Sequence, residues 1–128
     1  MNALLPLSLI AALAAAPVFA DCPAPNSDIK IPDGATATKD QMLAAQHSIK
    51  DADAAIATFA ECLRDEQDAK IAAGGDKLTD ADKLKISTDY VNRQNAEVEK
   101  LQKLADQFNV ELRAYKAKLA PTPPPAQP

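Results

Sequence analysis

The sequence predicts an all-α protein: an antiparallel, coiled-coil-like hairpin of two long helices, fronted by an extended proline-rich strap. Three observations carry that expectation. Apolar residues recur at alternating spacings of three and four from Met42 to Leu63, and again, with a few polar interruptions, from Leu84 to Leu119; this places each set on one stripe of a helix. A single Gly-Gly pair, Gly74-Gly75, lies between the two stretches. Runs of β-branched and aromatic residues alternating at period two are absent, so strands have no home.

The chain opens on a short apolar run, Leu4 to Phe19, that contains Pro6 and Pro17 and closes on Val18-Phe19-Ala20. Small residues at positions 18 and 20 fit a signal peptide, residues 1–20, cleaved between Ala20 and Asp21. The run is shorter than the ~20 residues a spanning helix needs, so no stable membrane anchor is expected. Met1-Asn2 supplies no Lys or Arg, which keeps an uncleaved anchor open as the alternative. Lipid attachment at Cys22 would want a small residue before it, and Asp21 is charged. The expected compartment is the periplasm or the exterior.

About 108 residues then follow, enough for one small domain. The formal charge is −4, and basic residues are interleaved with acidic ones. That pattern reads as solvated helix faces and excludes nucleic acid as a partner, because phosphates demand clustered Lys and Arg.

Cys22 and Cys62 are the two cysteines. In an oxidising compartment a disulfide between them is the default, closing a loop of about 41 residues worth on the order of 4 kcal/mol. An intermolecular bridge and a redox thiol are the competing readings, and the lack of a C-x-x-C spacing argues against the second.

Residues 21–37 carry Pro23, Pro25, Pro32 and Asp33-Gly34 and are expected to be an extended strap. Thr38 with Gln41 forms a capping-box pattern, starting a first helix over 39–73 whose stripe is Met42, Ala45, Ile49, Ala52, Ile56, Phe59 and Leu63. The rhythm fails at Glu66 and Lys70. A turn over 74–78 follows, with the Gly-Gly pair supplying a left-handed residue. Thr79 caps a second helix over 80–119, with Asp82 in the capping-box position and the stripe Leu84, Ser87, Val91, Gln94, Val98, Leu101, Ala105, Phe108, Leu112, Tyr115, Leu119. Pro121 stops it, and residues 121–128 read as a disordered proline-rich tail.

Folding at the glycines sets Leu63 near Val91 and Met42 near Val110, with Ile31 and Pro32 covering Tyr115 and Leu119. In a polyproline-like form at ~3.1 Å per residue the strap spans about 50 Å, so Cys22 can run back along the first helix to Cys62. Apolar residues off the stripes, Leu43, Ile86, Tyr90, Leu104 and Val110, favour a homodimer forming a four-helix bundle.

Chemistry finds little purchase. His47 and Asp51 share a helical spacing used by metal ligands, but His47 is the only histidine and a solvated side chain is the expectation. Carboxylate pairs Asp51/Asp53 and Glu97/Glu99 read as solvated faces, with Glu99–Lys103 as an i,i+4 partner. No catalytic residue, cofactor or metal is expected, and the chain is not read as an enzyme. Ser87 and Gln94 read as polar layers that set register, or alternatively as a mobile tip that docks a partner.

Cys22-Pro23, Ile31-Pro32-Asp33-Gly34-Ala35, Met42, Cys62-Leu63, Phe108-Asn109 and Arg113-Ala114-Tyr115-Lys116 together resemble a family of small exported bacterial proteins with a Cys-Pro and Ile-Pro-Asp-Gly N-terminal segment and a helical hairpin. The resemblance implies export and paired cysteines and brings no activity with it. The functional expectation is a binding or scaffold module of the cell envelope with an envelope protein as partner. The alternative is a periplasmic holdase for unfolded clients.

Overall fold

A computed structural model describes residues 21–122. The expected signal peptide and residues 123–128 of the expected tail lie outside the described residues. The chain is an all-α hairpin of α1 (Lys39–Gly74) and α2 (Asp80–Leu119), joined through a single 3₁₀ turn at Gly75–Lys77. Both capping boxes form. Gln41 N–H donates to Thr38 Oγ1 and Thr38 N–H to Gln41 Oε1; Asp82 N–H donates to Thr79 Oγ1 and Thr79 N–H to Asp82 Oδ2. Each box satisfies two amides that an isolated helix start would leave unpaired. The two Thr79 bonds also hold the Asp82 carboxyl below the usual aspartate range.

The two glycines of the turn do different jobs. Gly75 adopts φ 50°, ψ −135°, a region closed to side-chain-bearing residues. Gly74 is still helical, but a Cβ there would sit 2.4 Å from the Leu78 side chain. Helix α1 therefore runs one residue past its expected end, and the break falls on Gly75.

Residues 21–32 form neither helix nor strand. They run antiparallel to α1, from a turn at Asp33–Thr36 beside the C-terminal part of α2 to the Cys22–Cys62 disulfide far along α1 (S–S 2.01 Å, Cα–Cα 5.8 Å). The core has two clusters, one at each end of the strap. Cys22, Phe59, Leu63 and Tyr90, with Cys62 and Ile86 against them, make the first. Ala37, Met42, Ala45 and Phe108, with Ile31, Ile49, Leu112 and Tyr115, make the second.

The α1 stripe is buried as its spacing predicts, with Ile49 half-buried. The α2 stripe is buried only at Phe108, with Leu112 and Tyr115 packed against the same cluster. The other buried residues of α2, Tyr90 and Glu97, lie off the stripe, while Leu84, Val91 and Leu119 are 68%, 52% and 63% exposed. The axial register agrees with the sequence expectation, but Leu63 meets Tyr90 rather than Val91, and Met42 meets Phe108 rather than Val110. The physical reason is the strap: it adds a third layer on one side of the hairpin, and α2 turns its Tyr90 face toward it. Ile31 joins Tyr115 as expected, and Leu119 stays uncovered.

Candidate functional site

The strap is held at both ends by contacts that involve α2. At its root, Asp33 builds a tight turn: Ala37 N–H donates to the Asp33 carbonyl at 2.8 Å and Ala35 N–H to Asp33 Oδ1 at 2.8 Å. The turn lies directly on α2, with Gly34 N–H donating to Glu111 Oε2 at 2.8 Å. A Cβ on Gly34 would fall 1.8 Å from the Glu111 carbonyl oxygen. Lys118 completes the root. Its ammonium donates to the Ala37 carbonyl and lies 4.8 Å from the centre of the Tyr115 ring.

At the far end, the disulfide brings the start of the strap to Glu66, one helical turn beyond Cys62. Tyr90 Oη donates to Glu66 Oε1 at 2.7 Å, and Arg93 Nη1 reaches the same oxygen at 3.5 Å. The Tyr90 ring is flanked by Arg93, 5.2 Å from its centre, and Lys70, at 5.8 Å. Glu66 Oε2 is buried with no donor in hydrogen-bonding geometry. Desolvation pushes the Glu66 carboxyl up. The Tyr90 hydrogen bond, the Arg93 charge and the Cys22 backbone N–H outweigh it and hold the group below the usual glutamate range. Burial and the Glu66 partnership raise the Tyr90 phenol.

Polar layers also occur along the hairpin, one beyond the far end of the strap toward the turn and one between its two ends. Gln67 Nε2 donates to Ser87 Oγ at 3.2 Å across the hairpin, so Ser87 forms a polar layer rather than a loose tip. Glu97, expected on a solvated face, is instead buried and accepts from Lys100 at 2.7 Å. The correction has the same origin as Tyr90: Glu97 lies seven residues further along the same rotated face of α2. Glu99 stays exposed, and the expected Glu99–Lys103 pair is not among the ion pairs of the described residues.

Two kinds of open space remain. Between strap and α1 lies a trough of about 630 Å³ lined by residues such as Asp28, Ile29, Gln41, Ser48 and Ala55. On the side of the hairpin without the strap are two smaller depressions. One, about 200 Å³, is lined by Leu43, Gln46, Phe108 and Leu112 among others; the second, about 290 Å³, by Ile49, Asp53, Leu101 and Ala105 among others. Along this open side α2 carries an apolar residue at every seventh position: Leu84, Val91 and Leu119 are exposed, and Val98, Ala105 and Leu112 between them are half-buried.

Asp51 lines the strap trough and His47 is exposed. Among the described residues no group of three His, Cys, Asp or Glu is arranged to hold a metal. No helix among them is long and apolar enough to cross a membrane. Cys22 and Cys62 are brought together within one chain. Sequence reasoning missed Glu66, Tyr90, Glu111 and Lys118 as the residues that seat the strap. A signal was present for Glu66, which breaks the α1 stripe at the level where the disulfide sits. The chain matches no protein-family model, no curated protein and no solved structure.

Proposed function

We propose that the chain is an exported scaffold module of the cell envelope that docks an amphipathic helix of a partner protein along the open side of its hairpin. The observation that supports this is the uncovered stripe of α2, with Leu84, Val91 and Leu119 each more than half exposed. Contiguous apolar surface of this kind marks interaction sites, and a groove between two helices suits a third helix. Thr88, Asn95, Gln102 and Asn109, each four residues after a stripe position, are exposed and uncharged, and Lys116 at the next such position is charged. A polar rim of this kind borders interfaces.

Export through cleavage between Ala20 and Asp21 and residence in the periplasm belong to the same reading. The disulfide supports them, since such bonds persist in oxidising compartments.

In-cell photocrosslinking tests the docking. Crosslinkers at Val91 and Leu119 should capture partner proteins, while one at the outward-facing Lys103 should not. Recovery of no protein at either groove position would sink the reading. Capture of a second copy would identify the partner as the chain itself in a four-helix bundle. Suppression of client aggregation at stoichiometric amounts would instead mark the same surface as that of a holdase.

A further inference from the structure

The buried Oε2 of Glu66 is the one side-chain oxygen or nitrogen among the described residues that is buried without a partner. Such a group carries a desolvation cost that a donor would relieve. The neighbours that face this carboxylate are already engaged elsewhere. Tyr90 and Arg93 of α2 are directed to Oε1, and Lys70 of α1 lies over the Tyr90 ring.

The strap brings one more group. Cys22 is fixed to Cys62, four residues before Glu66 on the same face of α1, and packs in one cluster with Tyr90. Its backbone N–H is close enough to act on the Glu66 carboxylate. The nitrogen of Asp21 is one residue further on, roughly 3.6 Å of chain at full extension. Asp21 itself is exposed.

We infer that Glu66 Oε2 is the seat of the α-ammonium created at Asp21 when the leader is removed, so that processing locks the end of the strap with an ion pair. The inference rests on the cleavage reading above. Hydrolysis of the Ala20–Asp21 peptide bond consumes one water, giving a carboxylate on Ala20 and an amine on Asp21. The amine takes up a proton at neutral pH. An amide nitrogen with one hydrogen thereby becomes a cation with three donors, one residue before the Cys22 amide that already acts on the Glu66 carboxylate. The precursor, whose nitrogen is an amide at that point, lacks the pair. The leader therefore decides whether the latch closes, and full rigidity of the strap appears only after export.

Two measurements on protein isolated from the periplasm separate the inference from the reading beneath it. Intact mass and N-terminal sequencing should give Asp21 as the first residue; a different start overturns both. In chain that starts at Asp21, NMR titration should place the α-amino pKa above its usual value near ~8, by about one unit. Glu66→Gln should abolish that elevation. An α-amino group unaffected by Glu66→Gln overturns the pairing while leaving the cleavage intact. Should that variant fold poorly, α-N-acetylation of the same chain keeps every side chain. Acetylation should lower the melting temperature, and an unchanged melt refutes the latch.

Discussion

Gly34 shows how much of this architecture depends on one missing methyl group. The strap turn approaches α2 so closely that its amide bonds Glu111 and its Cα faces the helix backbone itself. A backbone carbonyl cannot rotate away as a side chain does, so Gly34→Ala must push the turn off α2. The expected loss is about 2 kcal/mol or more, read as a lower urea midpoint. A midpoint within error of the parent would show that the turn does not sit against Glu111. Glu66 and Tyr90 act through charge. The folded-state pKa of Glu66 is lowered, so its contribution is present above the ordinary glutamate range near ~4.3 and is lost as pH falls through the folded value. Tyr90→Phe removes the 2.7 Å donor and should make the acid limb of a stability profile between pH 7 and 3 shallower. An unchanged limb would count against the Tyr90 bond. Tyr90 has the opposite sign. Its raised phenol contributes stability below pH ~10 that is lost as pH climbs further.

At the level of elements, the helices were legible because their signals are local. Thr38, Thr79, the Gly-Gly pair and Pro121 stand within two residues of the observed boundaries, since caps and glycine conformations depend on neighbouring atoms alone. The stripe of α1 was legible for the same reason. The facing of α2 was legible only in its C-terminal part, where the stripe residues Phe108, Leu112 and Tyr115 do pack in the core; toward the turn two apolar sets compete on it, one at Leu84 and Val91, the other including Tyr90 and Leu104. A helix seen alone offers no ground for choosing. The strap chooses, and the off-stripe residues Ile86 and Tyr90, which by sequence favoured a second copy, are used within the chain. The strap depends in turn on its disulfide. Cys62→Ala, or reduction, opens a loop with a sequence separation of 40 and should remove about 2–5 kcal/mol. Chemical melts with and without reductant measure it, and equal midpoints would show that the strap is held without the bond.

The whole molecule is a thin three-layer rod with one side closed by its own N-terminal segment and the other left open. The closed side is built from specific contacts at both ends. The open side carries an apolar stripe whose Leu84, Val91 and Leu119 stay uncovered among the described residues. Stability and docking should therefore separate by face. Val91→Glu and Leu119→Glu, both at more than half-exposed positions, are expected to shift the folding free energy by no more than about 0.5 kcal/mol each. The same substitutions should abolish partner capture at the groove. A large drop in melting temperature would mean that the stripe is part of the fold, and intact capture would place the docking surface elsewhere.

By itself the sequence determined what short range can determine: two helices, their ends, the glycine turn, the reach of the strap and the feasibility of its disulfide. Only the tertiary structure decided which side of α2 is covered, that Glu97 is buried, that Glu66 holds an unpartnered oxygen, and that Gly34 lies on a helix backbone. The reason is physical. Periodicity fixes which residues share a helix face, but a rod has two open sides. Which one the strap occupies depends on contacts between residues far apart in the chain, such as Gly34 with Glu111, which no local pattern encodes.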